Sequence, residues 1–189
     1  LVLLVQHLGI SLAALALTRI RILGITEILT VAPIRPVEIM NGQFLSYGIV
    51  VSAVGLVVLG GMRYLLDVPL FGPFWQVAVV VVILAAAALG IGFLISLISS
   101  SEQQATQFTM LLLLGSVFFS GLVISLERLA WPAKGIAYTL PSTHATRDLH
   151  DIMLRGDLRH PEGLLILGLM ALVAYALSVM LLQRRLRPR

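Results

Sequence analysis

Four titratable side chains crowd one short stretch of this chain: His144, Asp148, His150 and Asp151. His144 and Asp148 stand one helical turn apart, a spacing at which an imidazole and a carboxylate can share a metal ion. Arg147 and Asp151 are also one turn apart, which reads as an ordinary ion pair on a helix face. The stretch reads first as a solvated polar face, and no metal site is expected. A catalytic use of His144 and His150 is the competing idea, and it requires activity to vanish when either is replaced. The chain has no cysteine, so disulfides and thiolate metal sites are excluded.

A second set of polar groups interrupts long apolar runs: Gln6 and His7, Ser46 and Tyr47, then Gln107, Thr109, Ser116 and Ser120. Polar groups placed in hydrocarbon are costly and often mark a pathway, although serine and threonine can bond their own helix backbone. Gln107, Ser116, Ser120 and the adjoining Gly121 are the candidate lining of a substrate path. The centres of the apolar runs carry no Asp, Glu, Lys or Arg. That argues against a proton relay or an ion-driven carrier, and it favours an apolar or amphipathic cargo. No Gly-x-x-x-x-Gly-Lys-Ser/Thr phosphate loop is present, so ATP hydrolysis by that route needs another subunit.

The elements that must hold these groups are membrane helices. Hydrophobic residues make up 59% of the 189-residue chain and charged residues 12%, with a mean hydropathy of +1.01. Water tolerates little exposed apolar patch, so lipid is the solvent this composition asks for. A helix needs roughly 20 apolar residues to cross the hydrocarbon core. Five stretches qualify: Leu1–Leu17, Phe44–Met62, Phe74–Ile98, Gln107–Leu126 and Gly163–Leu182. They are too continuous for barrel strands, and helices satisfy their own backbone in lipid. The expected fold is an all-α polytopic bundle forming one transmembrane domain over residues 1–189. Small residues in the third, fourth and fifth stretches, among them Gly90, Gly92 and Ala174, would let the helices approach closely.

Charge sets the orientation. With the first and third connections and the tail on one side, seven arginines face three glutamates there. The other side carries six cations and six anions. The arginine-rich side and the C-terminus are therefore expected in the cytoplasm. The net charge of +4 is a topology signal and gives no reason to expect nucleic acid. The chain opens at Leu1 inside an apolar run, so a preceding segment is expected.

The connection at residues 18–43 carries the most specific pattern. Ile22, Ile25, Ile28, Leu29 and Ala32 recur at helical spacing. Pro33 ends that short helix, and Pro36 suits the first turn of the next one. A short amphipathic helix beneath the membrane is expected, either lying on the headgroups or docking a cytoplasmic partner. In the external segment, residues 127–162, Ser142 or Thr143 would cap a helix running to about Arg155, with Pro141 breaking it from the preceding half.

Several motifs together resemble the ABC-2 type permeases, membrane subunits of ABC exporters such as the daunorubicin and linearmycin exporters. Gly24-Ile25-Thr26-Glu27, Pro33-Ile34-Arg35-Pro36 and Glu38 match the family's segment after its second helix. Val68–Gly72, Leu89–Ser96, Gln103–Ala105, Ser120-Gly121, Leu140–Thr143 and Leu154–Gly156 follow in the family's order. The chain departs from the pattern at Ile20 and Ile22, where the family often has glutamates, and at His144, where it has tyrosine. The resemblance implies six spans in the family against about five here. It implies that Gly24, Glu27, Pro33, Arg35, Pro36 and Glu38 couple the permease to an ATP-binding subunit. It also implies two external re-entrant helices involving Pro141, Thr143, Arg155 and Gly156. The partners it implies are the ATPase, which would hold ATP and Mg, and a second permease subunit in a homo- or heterodimer, within membrane lipid. The permease itself would bind no cofactor and would not be an enzyme. A non-ATP channel or carrier is the alternative.

Overall fold

A computed structural model describes residues 1–22, 36–121, 123, 130–156 and 161–186, and the described residues hold helices and no strand. Of the expected coupling residues, Gly24, Glu27, Pro33 and Arg35 lie outside this set. The helices in chain order are α1 (Val2–Ile22), α2 (Pro36–Tyr64), α3 (Phe74–Ile98), α4 (Glu102–Phe119), α5 (Ala133–Tyr138), α6 (Pro141–Arg155) and α7 (Pro161–Leu186). Among the described residues α1, α2, α3 and α7 are long and apolar enough to cross a membrane. α4 covers the first part of the fourth expected stretch; its 18 residues begin earlier, at Glu102. The chain is an all-α polytopic helix bundle.

α3 is the hub, and it packs against α1, α2, α4, α6 and α7. Its sequence is apolar all round, the composition expected of a helix enclosed by others. Val77, Val81, Leu84, Leu89 and Phe93 are fully buried along it. α2 and α7 bury one stripe each and expose Leu45, Ile49, Val57, Leu165, Leu169 and Leu172, the faces that lipid or another subunit would cover. Two glycines set how closely the hub is approached. A Cβ on Gly92 would stand 2.5 Å from the carbonyl oxygen of Ile10, on α1. A Cβ on Gly90 would meet the Cβ of Ala174, on α7, at 2.8 Å. Hydrogen bonds follow these seams. The Thr18 and Ser96 hydroxyls lie 2.9 Å apart between α1 and α3, and Ser178 donates to the Gly90 carbonyl at 3.1 Å. In hydrocarbon, such small-residue contacts and interhelical hydrogen bonds replace the hydrophobic effect as the source of association.

The short helices depart from expectation in one respect. Neither Ser142 nor Thr143 caps α6; Leu140 is the N-cap residue and Pro141 occupies the first turn. A proline there loses nothing, because its missing N–H would have had no helical partner. Pro141 therefore starts this helix and, with Leu140 held extended before it, separates it from α5 as expected.

Candidate functional site

Three groups of polar residues are positioned by this bundle. The first lies where α1 ends and α4 begins. Ser101 caps α4, accepting from the Gln104 amide at 3.1 Å. Gln104 Oε1 reaches back to the Ser100 amide at 2.7 Å and the Ser100 hydroxyl at 2.8 Å. This reciprocal arrangement satisfies donors that a helix start leaves free. Arg19 on α1 pairs with Glu102 at 3.2 Å, which ties the two ends together. The 23–35 connection leaves from this end of α1. Pro36 opens α2, and Glu38 sits in its first turn, where a carboxylate faces the positive end of the helix dipole.

The second group lies within the bundle. Gln6 Nε2 donates to Ser116 Oγ at 2.6 Å, linking α1 to α4. Gln6 Oε1 and Ser120 Oγ are buried and have no partner among the described residues. Of the path residues, Ser116 is thus brought to α1 and Ser120 is buried at the end of α4, whereas Gln107 is exposed on another part of α4 and Gly121 follows its end. The polar run at Gln6 was the available signal for the α1 partner of Ser116. Nothing local pointed to Ser116 itself as its mate.

The third group is the pair of short helices α5 and α6. Thr143 donates to the Ala137 carbonyl at 2.6 Å. The His144 ring nitrogen Nε2 lies 3.0 Å from the Tyr138 carbonyl. A carbonyl only accepts, so Nε2 carries the hydrogen, and in the neutral ring Nδ1 is left as an acceptor. At the far end of α6, Gly156 adopts φ 79°, a left-handed conformation that glycine adopts without a Cβ clash. The Gly72 and Phe71 amides donate to the Ile152 and Met153 carbonyls at 3.0 and 3.1 Å. The α2–α3 loop therefore fills the Met153 carbonyl, which the helix C-terminus leaves open, and shares the Ile152 carbonyl with the Gly156 amide. Gly72 admits no side chain, since a Cβ there would lie 2.6 Å from the Ile152 oxygen.

The polar face of α6 is solvated at Arg147 and His150, which are exposed, and the reading from sequence is corrected at the other three positions. His144 is 4% exposed, Asp148 2% and Asp151 6%. Asp151 pairs with Arg155 at 3.1 Å and not with Arg147. No cluster of three or more His, Asp or Glu suited to a metal occurs among the described residues. Asp148 abuts Gly163 in the first turn of α7 so closely that a Cβ at Gly163 would collide with the carboxylate. Its Oδ2 has no hydrogen-bond partner. Burial, joined by the neighbouring Asp151 charge and opposed by Arg147, pushes the Asp148 carboxyl up to about 6. His144, Arg147, Asp148, Glu162, Gly163, Tyr138 and Ile166 enclose a cavity of about 190 Å³.

A carboxyl that binds its proton more tightly when folded contributes stability in acid. That contribution is lost as pH rises from about 4 through about 6. Asp148→Asn should remove this slope. The melting temperature in detergent at pH 7 should rise by about 2–4 °C, corresponding to about 1 kcal/mol after solvent screening, and equal the wild-type value at pH 4. A variant melting curve that tracked wild type at both pH values would show that Asp148 is not destabilised by burial.

Comparison with known proteins places these residues in context. The family model described as ABC-2 type transporter matches residues 1–154. The inner membrane transport permeases YhhJ of Escherichia coli (strain K12) and of Shigella flexneri are each 32% identical over 155 residues, which is 80% of this chain. The chain spans 41% of the length of these relatives. No solved structure matches it.

Proposed function

Because this chain belongs to the ABC-2 type transporter family, in which it stands as a multi-pass membrane transport permease, we propose that it is the transmembrane part of an ATP-driven exporter in the inner membrane. The match over residues 1–154 is the observation that carries this reading. ATP and Mg are held by a separate ATP-binding subunit, and a second permease, identical or related, completes the pathway. The C-terminus lies in the cytoplasm with the arginine-rich connections. The cargo is hydrophobic or amphipathic, a drug, an antibiotic or a lipid-like molecule, in keeping with spans that carry no central charge. This chain performs no catalysis.

In that mechanism, closure of the ATPase on ATP moves the Gly24–Glu38 element beneath α1 and α2. ATP drives the switch because it favours the closed ATPase, and the closed ATPase fits one packing of the bundle better than the other. The Arg19–Glu102 pair and the Thr18–Ser96 contact then pass displacement of the end of α1 to α3 and α4. Gln6, Ser116 and Ser120 line the path at the other end of those helices.

The test is reconstitution. The permease should co-purify with an ATP-binding subunit. Proteoliposomes of the pair should move a fluorescent amphipathic dye on addition of Mg-ATP, and should not when the ATPase's phosphate-loop lysine is replaced. Dye movement driven equally well by an ion gradient without nucleotide would overturn the ATP-driven reading.

A further inference from the structure

The cavity between α6 and the first turn of α7 holds charges that the fold leaves unmatched. Asp148 borders it at 2% exposure, with Oδ2 accepting no hydrogen bond. A buried carboxylate oxygen without a donor among the described residues is costly, and a donor group on a ligand would relieve it. Glu162, in the first turn of α7, gives a second carboxylate in the lining. Arg147 is the one cation among the described residues of the lining. It makes no ion pair within contact distance of another described residue, although its charge acts on the neighbouring Asp148 carboxylate. The lining thus brings two carboxylates and a guanidinium to one small space. His144 Nε2 is already committed to the Tyr138 carbonyl, so it does not supply Asp148 with a donor.

We propose that this cavity binds a zwitterionic aminophosphate group, its primary ammonium held by Asp148 and Glu162 and its phosphate by Arg147. A primary ammonium supplies the N–H donors that the buried carboxylate lacks, which a quaternary ammonium cannot do. Arginine matches phosphate through its planar donor fork. The volume of about 190 Å³ equals that of about six water molecules, which suits a compact head group. The cavity also sits where the apolar span 162–184 begins, the depth of lipid head groups. Ile166 borders it, and the exposed Leu165 and Leu169 continue down α7, the direction in which an attached acyl chain would run. The same chemistry is offered by a free phosphoethanolamine and by a phosphatidylethanolamine head group.

The experiment keeps the two sources apart. The permease is purified in detergent and exposed to equal amounts of phosphatidylethanolamine, phosphatidylcholine and phosphatidylglycerol, and retained lipid is read by native mass spectrometry. O-phosphoethanolamine is titrated in parallel by phosphorus NMR. Retention of phosphatidylethanolamine about tenfold above both other lipids is expected, falling about tenfold in Asp148→Asn and in Arg147→Gln, the scale of one charge-assisted hydrogen bond. Circular dichroism verifies that both variants keep their helical content. Saturable binding of O-phosphoethanolamine that both substitutions abolish would assign the site to the free compound as well; lipid selectivity without it would assign the site to lipid. Equal retention of the three lipids with no phosphoethanolamine binding overturns the proposal. So does selectivity unchanged in folded Asp148→Asn. These readouts do not involve ATP, so their failure is separate from failure of the exporter reading.

Discussion

Gly92→Leu should leave little folded protein. The Gly92 Cα faces the backbone of α1, and even a Cβ would press on the Ile10 carbonyl at 2.5 Å and the Ala13 Cβ at 2.7 Å. Backbone cannot step aside as a flexible side chain can, so α1 must move off the hub. That separation strains the Thr18–Ser96 contact and exposes Val5, Ala13 and Leu17, all of which are buried. Overpacking in a tight interior costs about 1–3 kcal/mol and at times more. Here the whole α1–α3 seam is affected, so Gly92→Leu should lie at the upper end and Gly92→Ala at the lower. Gly168→Ala is the control, because a Cβ there meets nothing within 4 Å; it should shift stability by less than about 0.5 kcal/mol. Fluorescence-detected size exclusion on heating would rank the three. A Gly92→Leu protein melting with wild type would mean that α1 does not pack on α3 as described.

The second large effect concerns coupling. Glu27→Ala and Arg35→Ala should each lower ATP-dependent transport by about tenfold or more while the ATPase subunit still co-purifies and still hydrolyses ATP. The loss corresponds to a coupling free energy of the ordinary size for allosteric links, about 1–3 kcal/mol. Both residues lie in the 23–35 connection, outside the described residues, and their assignment rests on the family pattern around Pro33 and Pro36. That connection leaves from the end of α1 held by Arg19 and Glu102. Transport at wild-type rates in both variants would remove the segment from the coupling mechanism and leave its family pattern without a role here.

The all-α character, and four of the five expected apolar stretches as helices able to cross a membrane among the described residues, were legible because hydropathy is a property of neighbours along the chain. The apolar run from Phe74 to Ile98 forms a helix with those bounds, and Pro36 begins one, as a proline without a needed N–H should. The family was legible through ordered motifs whose glycines and prolines have local backbone reasons, Gly156 among them. The short helix α6 was read less well. Its His144, Asp148 and Asp151 pattern looked wet because sequence alone shows polarity and not what lies across from it. α6 in fact packs against α1, α3, α4, α5 and α7, and that packing buries these three residues. Arg155 then takes Asp151, and Asp148 is left against Gly163.

Sequence by itself determined that this is a membrane helix bundle of the ABC-2 kind, because lipid imposes length, composition and backbone satisfaction on every spanning segment separately. Tertiary structure decided which segment is the hub, that Gln6 meets Ser116 across 110 positions, and that a carboxylate is enclosed at the start of α7. Those outcomes depend on how closely distant backbones approach, which is set by pairs such as Gly92 with Ile10 and Gly163 with Asp148. No local pattern along the chain encodes such pairs.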